Sequence, residues 1–434
     1  MKDFSRLPNE LQCEIFYHSL PTNSLSCFSR TESPLVLLSV CKSWRALTLS
    51  TAKLWSCLGV YIPGRLCLKD QQRIFTGIRL WLRLSKAYPL SVKLACGPSQ
   101  QQQNPVVFDV LRLLLASDRR LRHIELSAPI EYLEPLLDVS AHDFQILSSF
   151  AIDTRSAWNA YKTLDIRAFD INWSQLTSLR IGSNPRQSIS LDECLDILTE
   201  SVSLSECVLD VKALFNANVH RDLERISLPT LSHLHLTLHD PEDQEGMEEL
   251  TFGLVSFLDK LDLPMLKSLR IEWLLHSWAG NEVWKRCHAM FISFMKRSGP
   301  SLLSLHLSYL PVTGLHIAEC LSMTPYLETV DLRFNAGDEK NDPISDNLLK
   351  ALTYRSSETP LLPMAHTMNL QCSGKKCSPL AVMDLIDSRV AVRNLCFKEF
   401  SYSMTTYSKL RDETSSLCKW GDEATHVAFH YIFP

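Results

Sequence analysis

Glycine is scarce in this chain, with 13 among 434 residues. So few glycines weigh against glycine-rich phosphate loops and glycine-dependent barrels. Excess basic charge is also missing, since 44 Lys and Arg face 48 Asp and Glu for a formal net charge of −4. Phosphate backbones need a concentrated basic surface, so nucleic acid is not expected as a partner. No uncharged apolar run reaches the roughly 18 residues of a membrane span, so no membrane is expected either. The opening MKDFSRLP carries no apolar core of a secretory signal. The 14 cysteines are scattered, and Cys13, Cys27, Cys41 and Cys57 fall within apolar helical patterns. Together these features point to a reduced setting, cytoplasmic or nuclear.

Catalytic signatures are missing as well. The patterns G-x-S-x-G, H-E-x-x-H, G-x-G-x-x-G, the P-loop and the EF-hand loop do not occur. In "CSGKKC", Cys372 and Cys377 have no nearby second pair to complete a tetrahedral zinc site. Cys287 and His288 are neighbours on a helical pattern, which does not suit a nucleophile and its base. Trp273, Trp278 and Trp284 read as packing under a loop. No catalytic residue, cofactor or metal is assigned, and the expectation is a non-enzyme.

Apolar residues make up 45 % of the chain, enough for sizeable cores. The length suits two or three globular units, or a small domain with a repeat array. At the N-terminus, Leu7, Leu11 and Ile15 recur every four residues with Phe16 beside them, the stripe of a short helix. Pro8 suits its first turn and Glu10 its positive end. A second helix is expected from near Pro34, with Val36, Val40 and Trp44 at i, i+4 and i+8. So small a unit cannot bury much alone and is expected to offer an apolar face to something else.

Beyond residue 120 the pattern L-x-x-L-x-L recurs. It starts at Leu121, Leu147, Leu176, Leu204, Leu231, Leu266, Leu302 and Leu327, with spacings of 25–36 residues. Apolar helical stretches such as "SLDECLDILTES" lie between several copies. A strand and a helix alternating at this period predict a leucine-rich-repeat-like solenoid. The regular asparagine of tight leucine-rich repeats is mostly missing, and Asn335 comes closest. The expected fold is therefore α/β. An all-α unit covers 1–62, a helical linker and cap 63–120, and an irregular solenoid with an atypical terminal cap 121–434.

Strand side chains alternate. Pattern positions one, four and six should face the core, and three, five and seven an open sheet surface. The fifth positions include Arg180, His235, Arg270, His306 and Asp331, and a seventh position is Arg333. This column is the candidate substrate-binding surface.

The first 60 or so residues resemble an F-box. The matching residues are Leu7, Pro8, Glu10, Leu11, Ile15 and Phe16, then Val40, Cys41, Lys42, Trp44 and Arg45, then Leu54 and Trp55. The chain as a whole looks like fungal F-box proteins, and its late "DLIDSR" segment resembles a stretch that recurs there. The resemblance implies a substrate receptor of an SCF-type ubiquitin ligase. The F-box would dock on a Skp-family adaptor and through it a cullin scaffold, and the repeats would bind a protein substrate. Leu7, Pro8, Leu11, Ile15, Phe16, Val40, Cys41, Trp44, Leu54 and Trp55 are the candidate adaptor-binding residues. The alternatives are a ligase-independent interaction scaffold and an unrecognised hydrolase.

Overall fold

Each copy of the six-residue pattern becomes a strand, which starts at Leu121 itself in the first copy and two residues after the first leucine in the other seven. This holds in a computed structural model that describes residues 7–21, 28–97, 104–116, 118–154, 165–183, 188–216, 224–239, 247–274, 281–334, 342–354, 361–373, 375–390, 399–404 and 426–431. The protein is mixed α/β, and the chain divides into two units, Met1–Ile189 and Ser190–Pro434.

The first unit opens with three short helices, α1 (Asn9–His18), α2 (Leu37–Val40) and α3 (Lys42–Ser50). A parallel sheet follows, with β1 (Cys57–Ile62), β2 (Leu90–Cys96), β3 (Leu121–Ser127), β4 (Ser149–Asp153) and β5 (Ser178–Gly182) paired in chain order. Helix α4 (Leu68–Leu84) connects β1 to β2, and α5 (Pro105–Leu115) connects β2 to β3. Asn104 caps α5 by accepting the Val106 amide at 3.1 Å, with Pro105 in the first turn. The sheet begins at Cys57, inside the segment expected to be wholly helical. The inward residues Leu58, Val60 and Ile62 are buried although they do not spell the leucine pattern.

The single helix expected from Pro34 through Trp44 is instead two. Cys41 between them is extended, at φ −158° and ψ 170°, and its Sγ accepts the Trp44 amide at 3.4 Å as the cap of α3. The extended backbone at Cys41 breaks the helix, and the cap satisfies one of the amides that the new helix start leaves without an intrahelical partner.

The second unit repeats the strand–helix alternation. Helix α6 (Leu191–Glu200) opens it, with a reciprocal cap between Ser190 and Glu193. Strands β6 (Glu206–Lys212), β7 (His233–His239), β8 (Ser268–Leu274), β9 (Ser304–Ser308), β10 (Thr329–Arg333), β11 (Thr367–Cys372), β12 (Glu399–Met404) and β13 (His426–Tyr431) pair in parallel and in chain order. Helices α7 (Met247–Asp259), α8 (Asn281–Ser298), α9 (Gly314–Ser322), α10 (Asp346–Leu352) and α11 (Pro379–Val390) lie between strands from β7 onward.

Positions one, four and six of all eight copies are buried, as in Leu266, Leu269 and Ile271 or Leu302, Leu305 and Leu307. Removing this apolar surface from water is the main favourable term for each layer. Register comes from a repeated backbone contact rather than an asparagine ladder. In the second unit the carbonyls of Ser205, Ser232, Lys267, Leu303 and Glu328 each accept two amides from the start of the next strand, at 2.8–3.1 Å. Any residue supplies such a carbonyl, so the missing asparagine costs nothing here; Asn335 lies outside the described residues. Residues 365–370, "AHTMNL", make a further copy, with Ala365, Met368 and Leu370 fully buried.

Candidate functional site

Two surfaces gather the residues singled out by sequence. The first is the N-terminal helical unit. In α1 the buried side is Gln12 and Phe16, whereas Leu11 and Ile15 are 52 % and 46 % exposed. This inverts the usual arrangement, in which the apolar stripe of a helix faces its own core. Gln12 is satisfied locally, donating from Nε2 to the Leu7 carbonyl at 2.8 Å. Val40 and Leu49 extend the apolar exposure, while Pro8 and Cys41 are exposed and Leu7 and Trp44 half-buried.

The remaining candidate contact residues are core instead. Phe16 is buried, with its ring 4.7 Å from that of Trp44, which joins α1 to α3. Leu54 and Trp55 are fully buried; Trp55 donates to the Thr48 carbonyl at 2.9 Å and packs edge-on against Trp81 of α4 at 4.8 Å. Phe16, Leu54 and Trp55 therefore hold the face in shape and cannot touch a partner. Lys53 fastens the rim, 3.0 Å from Glu14 and 3.8 Å from the Tyr17 ring centre.

The second surface is the outward sheet face of the second unit. In-register pairing sets Val208, His235, Arg270, His306, Asp331 and Asn369 side by side on successive strands. His306 is buried at the centre. Its Nδ1 is 2.7 Å from Asp331 Oδ2, and its Nε2 is 2.7 Å from Ser308 Oγ and 3.4 Å from Glu272 Oε1. Arg270 donates from Nε to Glu272 at 2.7 Å and also from Nη2. Arg333 forks onto Asp331 at 3.0 and 2.7 Å, and Asn369 adds a donor at 2.9 Å. His235 lies 3.9 Å from Glu272. Arg180 belongs to the first unit, where it is exposed opposite Ala151.

Charges here set one another. His235 and His306, with Arg270, hold Glu272 well below the usual carboxylate range against the opposing effect of burial. Burial alone would depress His306, but its bonds to Asp331 and Glu272 outweigh that and raise it. Burial likewise opposes the lowering of Asp331 by His306 and Arg333.

Ser308, His306 and Asp331 have the outline of a nucleophile, base and orienting acid. With a carboxylate beside each ring nitrogen, the cationic form of His306 is favoured, and in that form Nε2 donates to Ser308 rather than taking its hydroxyl proton. Ser308 is itself buried.

The other sequence candidates lie elsewhere. Cys372 and Cys377 are buried, and Cys377 Sγ donates to the Ile344 carbonyl at 3.3 Å. His288 pairs with Glu319 at 2.9 Å, while Cys287 Sγ bonds back to the Val283 carbonyl at 3.5 Å. Trp273 and Trp284 are core residues, and Trp278 lies outside the described residues. Among the described residues no cluster of His, Cys, Asp or Glu could hold a metal ion, and no helix is long and apolar enough to cross a membrane.

Neither a protein-family model nor a curated protein matches the chain. Ser308 and Asn369 were not among the sequence candidates. Ser308 is a seventh position of the Leu302 copy, and Asn369 sits in the copy whose Ala and Met hide the leucine signal.

Proposed function

We propose that the protein is the substrate receptor of an SCF-type ubiquitin ligase, with the N-terminal helices docking on a Skp-family adaptor. The carrying observation is the inverted α1, where Leu11 and Ile15 face outward while Gln12 is buried, with Val40 of α2 and Leu49 of α3 exposed as well. A helical partner with an apolar groove is the natural complement. Fully burying a side chain of this kind contributes about 1.5–3 kcal/mol. Roughly half of that remains to be gained at each of the four, so the sum is about 3–6 kcal/mol. This only just meets the lower estimates of about 4 kcal/mol for association. Every one of these side chains should therefore matter to binding.

The sheet face of the second unit suits the other half of the role, recruitment of a protein substrate by rigid, prearranged polar groups. The resemblance of residues 7–55 to an F-box supports the same reading, and the chain would contribute no catalytic residue of its own. The test is a pull-down with purified Skp-family adaptor. Wild type should bind at micromolar concentration, and the double variant Leu11→Asp, Ile15→Asp should not. Failure of the folded wild-type chain to bind would sink the ligase reading.

A further inference from the structure

The charged network on the second unit is layered, and the layering decides what it offers to a partner. The carboxylates lie underneath, with the side chains of Glu272 and Asp331 only 19 % and 18 % exposed. The guanidinium groups lie on top, with the side chains of Arg270 and Arg333 41 % and 38 % exposed. Each arginine uses Nε and Nη2 on the carboxylate beneath it, and among the described residues Nη1 of neither has an acceptor. Arginine carries donors only, so a partner must bring acceptors.

The two arginines are also fixed in place. A guanidinium forked onto a carboxylate has already lost its side-chain freedom, so gripping a second acceptor costs less. From β8 to β11 the face carries Arg270, His306 and Arg333 against Glu272 and Asp331, with Asn369 and Gln371 uncharged beyond them. The next acids on this face lie two strands away on either side: Glu206 and the buried Asp210 on β6, beyond Arg270, and Glu399 on β12, in register with Thr367 and beyond Arg333. Backbone strain marks the same spot. Tyr309, which follows β9, is held at φ 61° while its amide donates to the Arg333 carbonyl at 2.7 Å.

We propose that this face binds an acidic segment of a protein, with Arg270 and Arg333 each gripping a carboxylate. The arginines are two strands and two residues apart, roughly 12 Å between their Cα atoms from standard sheet spacings. About four residues of extended chain span that distance, so acidic side chains at i and i+4 fit. Identifying this segment as part of a ubiquitination substrate rests on the receptor reading above; the acid-binding property does not.

The test is fluorescence anisotropy on the full chain without adaptor, using a short labelled Glu/Gly peptide and its Gln/Gly counterpart. The Glu peptide should bind at least about tenfold more tightly and weaken with added salt. Arg270→Gln with Arg333→Gln should cost at least about tenfold in affinity for it. Asp331→Asn, which strips a carboxylate but leaves both arginines, should bind the Glu peptide at least as well as wild type. Equal binding of the two peptides overturns the proposal, as does an unaffected double arginine variant. Loss of binding in Asp331→Asn overturns it too, because the effect would then follow network integrity rather than the guanidinium groups. Binding of a phosphoserine/Gly peptide with none of the Glu peptide overturns the assignment to carboxylates. Because no adaptor is present, failure here leaves the pull-down result standing, and the converse holds.

Discussion

Arg389 in α11 offers the sharpest test of how the second unit is held together. It is fully buried, and its guanidinium donates four hydrogen bonds. Nε and Nη2 reach the Leu352 carbonyl at 3.1 and 2.6 Å, Nη1 reaches Leu362 at 2.7 Å and Nη2 also reaches Leu361 at 2.7 Å. Leu352 ends α10, so the charge sits at the negative end of that helix. Burial lowers its pKa to about 10, which leaves it charged at neutral pH. Arg389→Met keeps much of the volume and removes charge and donors together. The Leu352 and Leu361 carbonyls then lose their Arg389 donors, at about 1–3 kcal/mol each, while the Leu362 carbonyl keeps the Ala365 amide at 3.3 Å. Removing a buried charge that has no carboxylate partner returns part of that. The net loss should be roughly 1–4 kcal/mol. Urea denaturation gives the total, and hydrogen exchange over 346–354 and 361–373 locates it, because the two units need not unfold together. A change below about 0.5 kcal/mol with unaltered exchange in both segments would refute the reasoning.

Two further outcomes follow from the geometry. Phe16→Ala should cost about 3–5 kcal/mol in stability because it hollows the joint with Trp44, whereas Leu11→Ala should stay within about 0.5 kcal/mol; similar melting shifts for both would contradict the inverted helix. His306→Gln should show a pH-dependent penalty. A raised histidine stabilises fully below its unfolded value of about 6.5, and the contribution is lost as pH rises through the folded value. The penalty should therefore be larger near pH 6 than near pH 8. It is read as variant against wild type, because His316, lowered to about 4 by burial and by His288, gives the chain an opposite slope. A penalty that grows with pH would overturn the clamped-imidazolium description.

The leucine pattern was legible because each copy repeats one physical task, filling a layer under a parallel strand. Copies that do the same task with other residues were not legible as repeats. Leu58, Val60 and Ile62 in β1, and Ala365, Met368 and Leu370 around β11, fill their layers equally well. The spacing of Val36, Val40 and Trp44 suggested one helix, because apolar period carries no information about the extended backbone at Cys41. Matching a motif did not separate contact from support either. Leu11 and Phe16 belong to the same short signature yet lie on opposite sides of α1. On the sheet face the reverse held. Fixed parallel register turned residues 25–36 positions apart into one column, so Arg270, His306 and Asp331 could be grouped from spacing. Their layering depends on side-chain reach, which no spacing encodes.

Within each unit, the pairing of each numbered strand with its immediate successor also sets how the chain must grow during synthesis. A strand that has just joined the sheet presents a bare edge until the next copy emerges. Copies start 25–36 residues apart. At translation speeds of about 5–20 residues per second, each edge waits roughly 1–7 s for its partner. Over that interval the unpaired backbone groups can template a foreign strand. Slower decoding between copies would lengthen the exposure at that edge alone, so codon choice in these intervals, silent in the finished protein, bears on how much of it survives its own synthesis.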